Sequence, residues 1–270
     1  MPVPTLITFP PSLDSEFSRF LLTHYGIERH EERHVIFISS AITLVRARTV
    51  RFPVLFDHTL RLNTVHKLID HFEPLAVPER RLVPPGTDLT ALRADWKLFH
   101  SDLNTATTVL AYYHLLPHRQ IMVEPLSQGA PPMEVRAVER GYPVFKLLLS
   151  ALLRLSPSRA ETMLTTIRSC LQRVDDRLAD GRRYLLGDRF TLSDMAFAIA
   201  SAPIVWPDQY GGAVPALADT PPGLQAVVRE CRARPAGELA LRIYRDHRNA
   251  APAASPQPAA STESRSHGLH

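Results

Sequence analysis

The strand-forming runs of this chain lie before Glu73, and a connector carrying Pro74, Pro78, Pro84 and Pro85 follows. Short apolar or β-branched runs at Leu6 to Phe9, His34 to Ile38, Val54 to Phe56 and Leu60 to Leu62 alternate with helical patterns at Ser15 to Tyr25 and Thr64 to Phe72. This is the layout of a small α/β unit. In its first helix Phe17, Phe20, Leu21 and Tyr25 follow the spacing of one helix face, and Gly26 stands where a left-handed cap is expected. Beyond the connector the pattern is helical. Leu92, Trp96, Phe99, Leu103, Ala106, Leu110 and Tyr113 alternate steps of three and four, predicting one long helix from Leu89 with a continuous buried stripe. Met163, Ile167, Cys170, Val174 and Leu178 mark a second helix that ends at Gly181. The expected division is an α/β domain over 1–75, a linker over 76–87, an all-helical domain over 88–248 and a tail over 249–270. The tail holds alanine, proline and serine and almost nothing large and apolar, so it is expected to be disordered.

Composition excludes several classes. With 45% hydrophobic and 21% charged residues the chain is globular. No run reaches the ~18 apolar residues of a membrane span, and Met1 to Phe9 lacks the parts of a secretory signal, which predicts a cytoplasmic protein without a membrane partner. The net charge of +4 comes from basic residues scattered singly, whereas nucleic-acid binding usually shows a stripe. The only cysteines, Cys170 and Cys231, give neither a disulfide framework nor a CxxC pair, and Cys170 lies on a core stripe as an inert thiol.

His30-Glu31-Glu32-Arg33-His34 satisfies the zinc motif H-E-x-x-H, which needs both histidines on one face of a helix. Gly26 has already ended the preceding helix, and Val35 to Ile38 is β-type, so the segment is expected to lead into a strand. Extended backbone would separate the histidines by about 13 Å, too far to share a metal. The segment then reads as a solvated charged stretch, and no metal is expected.

Phe190-Thr191-Leu192-Ser193-Asp194-Met195 starts a helix at Leu192. Thr191 can accept from the N–H of residue 194 while the Asp194 carboxylate reaches back to the N–H of Thr191, a capping box, with Phe190 and Met195 spaced as its hydrophobic staple. The longer segment, Arg182 to Asp194, contains Leu186-Gly187-Asp188 ahead of the box and resembles glutathione S-transferases, in which a Leu-x-Gly-Asp turn precedes a buried capping box. The resemblance covers roughly residues 5 to 247. It implies a thioredoxin-like α+β N-terminal domain followed by an all-α bundle.

It also implies a site. In the family a hydroxyl or thiol between the first strand and helix addresses the glutathione sulfur. Pro10-Pro11-Ser12-Leu13-Asp14-Ser15-Glu16-Phe17-Ser18-Arg19 is similar to the family's Ser-Pro-x-Ser/Cys-x-x-x-Arg pattern, which places Ser15 at the catalytic position with Ser12 as the alternate. A hydroxyl donor and the positive end of a helix both favour thiolate over thiol. Read locally, Ser12 or Asp14 caps the helix and Ser15 sits in its first turn. Phe52-Pro53-Val54-Leu55 matches the family's x-Pro-x-Leu, where the proline is cis and the residue before it pairs with the cysteinyl part of glutathione; an ordinary trans proline opening a strand is the other reading. Asn63-Thr64 stands where the family has an acidic residue and serine against the γ-glutamyl end. Asn63 lacks the carboxylate, and a neutral hydrogen bond is roughly half as strong as a charge-assisted one. Arg46, Arg48 and Arg51 could meet the glycyl carboxylate or form a solvated basic edge. Trp96, His100, Tyr112 and Tyr113 are the polar or aromatic candidates for a second-substrate pocket, although helical phase puts Trp96 and Tyr113 on the core stripe.

The resemblance implies a homodimeric enzyme that uses glutathione as co-substrate and conjugates it to a small apolar electrophile in an interdomain cleft. A non-catalytic binding or scaffolding protein of the same fold is the second reading, motivated by Asn63.

Overall fold

The computed structural model describes residues 3–250, so residues 251–270 of the expected disordered tail lie outside the described residues. Four short strands, β1 (Thr5–Thr8), β2 (His30–Arg33), β3 (Val54–Phe56) and β4 (Arg61–Leu62), form one sheet in the order β2-β1-β3-β4. β1 and β2 are parallel, and the other pairs are antiparallel. The parallel pair needs a crossover, which α1 (Leu13–Tyr25) supplies; α2 (Ile38–Ala47) and α3 (Val65–Phe72) complete this part. The side-chain alternation of strands sorts the sheet into two faces. Leu6 and Leu55 are register partners and join the main core with Phe17, Phe20 and Leu68, while Ile7 and Val54 pack with Ala47 of α2.

Two elements differ from the sequence expectation. The strand expected at His34 to Ile38 instead occupies His30–Arg33, and α2 starts at Ile38. β2 is an edge strand whose Glu31 accepts from the Arg19 Nε–H at 2.7 Å and the Thr8 hydroxyl at 2.7 Å, so a satisfied charge fills the place where hydrophobic periodicity looks for an apolar residue. The pattern does not reveal α2 either. Its buried residues are Ser39, Thr43 and Ala47, while Leu44 and Val45 are exposed.

The helical part comprises α4 (Leu89–Trp96), a π-helical segment (Lys97–Leu103), α5 (Asn104–Leu115), α6 (Arg119–Ser127), α7 (Pro132–Leu153), α8 (Pro157–Leu178), α9 (Leu192–Val205), α10 (Pro222–Arg232) and α11 (Pro235–His247). The expected long helix is therefore interrupted by π turns, although Leu92, Phe99, Leu103, Ala106 and Leu110 of its stripe are buried. All of α9 except Pro203 is buried, as befits a largely apolar helix, and α1, α4, the π-helical segment, α5, α10 and α11 pack around it. The Asp194 carboxylate accepts from the N–H of Thr191 at 2.9 Å, the hydroxyl of Thr191 at 2.7 Å and the N–H of Leu185 at 2.8 Å. The N–H of Leu192 donates to the carbonyl of Leu82 at 2.9 Å, which fastens the proline-rich connector to the start of α9.

Gly26 ends α1 with φ 72°, as its position requires. A sealed ionic cluster ties the other end of α1 to α11. Arg248 Nε donates to Glu16 Oε1 at 2.7 Å, the N–H of Gly211 donates to Glu16 Oε2 at 3.0 Å, and Arg19 bridges to Glu31 and to the carbonyl of Pro10.

Cys170 and Cys231 are both buried, and burial pushes their thiols up to about 11 and about 12. Neither forms thiolate near neutral pH. A maleimide assay at pH 7.5 is expected to label both cysteines only after denaturation; rapid labelling of the native protein would contradict this packing.

Candidate active site

The turn between β1 and α1 sorts the two candidate serines. Ser12 has extended backbone, with φ −69° and ψ 131°, and is the N-cap of α1; its hydroxyl oxygen accepts from the N–H of Ser15 at 3.4 Å. Ser15 has no exposed surface, and its Oγ accepts from the N–H of Phe9 at 3.2 Å. Ser15 thus holds the turn together from inside, whereas Ser12 lines a cleft of about 350 Å³. On one side of the cleft stand Phe9, Ser12, Asp14 and Phe52; on the other stand His100, Thr108 and Tyr112 with leucines of α7. The Phe52–Pro53 bond is cis, and the Phe52 ring meets Phe9 edge-on at 6.1 Å.

Asn63 and Thr64 do not line this cleft. Asn63 Nδ2 donates to Thr49 Oγ1 at 3.1 Å, and its Oδ1 is buried with no protein partner. Thr64 caps α3 by accepting from the N–H of Lys67 at 3.2 Å. Of the three arginines, Arg46 pairs with Glu32, while Arg48 and Arg51 are exposed away from the cleft. Trp96 and Tyr113 pack on the core as their helical phase requires. His100 stacks on Trp96 at 4.2 Å, with Nε2 at 3.4 Å from Asp14 Oδ1, and Asn104 Nδ2 reaches the same oxygen at 3.5 Å. Asp14, Asn104 and Thr108 are cleft residues that sequence reasoning did not place there. The only available signal for Asp14 was its position in the first turn of α1, where a capping role explains an aspartate equally well.

Tyr112 belongs also to an adjoining apolar pocket of about 70 Å³, lined by Pro11, Leu13, Met122, Trp206 and Tyr210 among others. Its far wall is fixed by polar anchors. Trp206 Nε1 donates to the carbonyl of Pro215 at 3.0 Å, and Arg232 donates to the carbonyls of Val205 and Trp206 at 2.8 and 2.7 Å. The Tyr210 hydroxyl donates to the carbonyl of Pro11 at 3.1 Å, which ties the pocket to the turn carrying Ser12. Burial raises the phenols of Tyr112 and Tyr210, so both stay neutral. The cleft therefore offers a hydroxyl at the positive end of α1, an imidazole and a carboxylate, beside an apolar pocket.

The histidines of the H-E-x-x-H segment face different partners. His30 is exposed near Glu32, and His34, directly after β2, is buried with Nδ1 at 2.7 Å from Glu134 Oε1. The segment is extended, but it is not the solvated stretch expected from its charges, since ion pairs satisfy it within the fold. Among the described residues no group of three or more potential ligands could hold a metal ion, and no helix is long and apolar enough to cross a membrane.

Residues 156–229 match the family model of the glutathione S-transferase C-terminal domain. Among solved structures the chain is similar to a glutathione S-transferase from Rhodospirillum rubrum, with 18% identity over 90% of this chain and 99% of that one and a TM-score of 0.54. It is similar to the beta-etherase LigF from Sphingobium sp. strain SYK-6, with 15% identity over 89% and 99% of the two chains and a TM-score of 0.54. A glutathione S-transferase-I bound with lactoylglutathione gives 14% identity over 90% and 100% of the chains and a TM-score of 0.52. No curated protein matches in sequence. Identities this low establish the shared fold, in which a small mixed sheet precedes a helical bundle, and leave the chemistry to the site itself.

Proposed function

We propose that this chain, which has the glutathione S-transferase fold, binds glutathione in the cleft at the N-terminus of α1 and transfers its sulfur to a small apolar electrophile. The observation that carries this reading is the Ser12 hydroxyl, which lies at the N-cap of α1 and lines a cleft shared with Phe52 and continuous with an apolar pocket. The hydroxyl would donate to the ligand's sulfur, and the helix dipole would add to the stabilisation of the thiolate. The electrophile would lie toward Tyr112 and the apolar pocket. Attack forms the S–C bond as the leaving group departs with its electron pair. Of the two serines, Ser12 fits this role; the buried Ser15 supports the turn.

Calorimetry with glutathione tests the first half, and no heat at millimolar ligand would overturn it. Conjugation of 1-chloro-2,4-dinitrobenzene tests the second. Ser12→Ala is expected to lower kcat/KM about 100-fold, the scale of a lost transition-state donor, and Ser15→Ala to act mainly on stability. The reverse ranking would return the role to Ser15. A second reading, a non-catalytic binding protein, is favoured by Asn63, whose position offers no carboxylate to a ligand ammonium; binding without turnover would support it.

A further inference from the structure

We propose that His100 is the proton acceptor of the cleft, taking the proton from the ligand thiol, and that Asp14 is the residue that positions it. The inference rests on the thiol chemistry proposed above and adds the base which that chemistry otherwise lacks, since a serine hydroxyl stabilises a thiolate but does not remove its proton at neutral pH.

The geometry singles out this histidine. Among the described residues His100 is the only imidazole lining the cleft, and Asp14 is its only carboxylate. The ring lies in the π-helical segment, whose wider turns commonly occur at functional sites, and it stacks on Trp96 with an interplanar angle of 15°. Phe17 supports it edge-on at 5.7 Å. Nε2 is buried and faces Asp14 Oδ1 at 3.4 Å, a separation that a formed hydrogen bond would shorten. Catalytic hydrogen bonds are often this loose before ligand binds. A proton on Nε2 would face that carboxylate and leave the Nδ1 lone pair free to accept. Nδ1 makes no hydrogen bond among the described residues, and the imidazole side chain is 18% exposed. The other groups facing the ring are few. His66 of α3 lies 6.3 Å away between ring centres, Asn104 of α5 is neutral, and α7 contributes leucines. Among the described residues Asp14 is thus the one charged partner placed to stabilise an imidazolium at this position.

The step balances without another reactant. The thiol S–H bond breaks, its proton moves to Nδ1, and the electron pair stays on sulfur, which attacks the electrophilic carbon. With 1-chloro-2,4-dinitrobenzene the C–Cl bond breaks and chloride leaves. The imidazolium, paired with Asp14, then returns its proton to solvent.

The test measures kcat/KM for that conjugation from pH 5.5 to 9 in the wild type, His100→Gln and Asp14→Asn, with glutathione binding followed separately by calorimetry. His100→Gln is expected to lose about 100-fold at pH 6.5, the scale of general base catalysis. The deficit should shrink toward pH 9, where a free thiol ionises unaided at about 8.5. Glutathione affinity should stay within about threefold. Asp14→Asn is expected to lose about 10-fold, as for an outer partner of a working histidine. A deficit equal at every pH, or one under about threefold, would overturn the assignment even where glutathione binds. If the wild type gives no heat with glutathione, the thiol reading itself has failed and His100 loses this role with it.

Discussion

Replacing Glu16 by glutamine is expected to remove about 3–5 kcal/mol of folding stability, a large part of the ~5–15 kcal/mol that a domain possesses. Glu16 has no exposed surface, and both of its carboxylate oxygens are used, Oε1 by Arg248 and Oε2 by the Gly211 N–H and a second Arg248 nitrogen at 3.3 Å. Burial works against the Arg248 charge, and the opposite charge and hydrogen bonds of Glu16 outweigh it, so the guanidinium is held more firmly protonated than usual. Glutamine preserves shape and most hydrogen bonds but leaves Arg248 as a buried cation without its counter-charge. Arg19 would suffer less because Glu31 still faces its Nε at 2.7 Å. In thermal denaturation the loss should read as a shift on the order of 10 °C. The double variant Glu16→Gln/Arg248→Met removes both charges and should recover much of that loss, because an apolar replacement of a buried pair is often neutral. A single-variant loss below about 1 kcal/mol would mean that water reaches this cluster. The cluster also fixes the cleft, since it clamps the first turns of α1, where Ser12 and Asp14 stand, to α11.

The features legible in the sequence were those in which chemistry and local geometry coincide. Gly26 as a left-handed cap and the Thr191/Asp194 box each depend on neighbours within a few residues, and each is found where its residues point. The cis bond before Pro53 and the order of a small sheet before helices followed from the resemblance. Missed features depend on distant partners. β2 is stabilised inward through Glu31 by Arg19 and Thr8, and α2 buries polar and small residues, so neither displays the hydrophobic period. The π turns leave the three-and-four spacing intact while re-aiming the side chains between Trp96 and Asn104. The choice between Ser12 and Ser15 is of the same kind. Three residues apart, both suit the first turn of a helix, and only the fold of the Phe9–Leu13 turn decides which one reaches the cleft.

Asp194→Ala is the second large effect. The change leaves the N–H groups of Leu185 and Thr191 and the Thr191 hydroxyl, all in the buried core, without their acceptor. At roughly 1–3 kcal/mol for each orphaned buried group, offset by partial relaxation, a loss of about 3 kcal/mol is expected at pH 7. The size of the loss should depend on pH. Burial pushes the Asp194 carboxyl up to about 6, with the Asp95 charge adding to it and the three donors opposing it. An acid whose folded pKa lies above its unfolded value of about 3.9 binds more protons when folded. Its favourable contribution is full below the unfolded value and declines as pH rises through about 6. Wild type should therefore lose stability relative to Asp194→Ala between pH 5 and 7, and the difference should level off above pH 7. Urea unfolding of both proteins at pH 5.0, 6.0, 7.0 and 8.0 measures this directly. A penalty that stays flat from pH 5 to 8 would mean that the donors outweigh burial and that the box is built around a carboxylate ionised throughout. Either slope leaves the box as the junction at which the connector, through Leu82, meets the start of α9, so the variant's cleft should loosen together with its core.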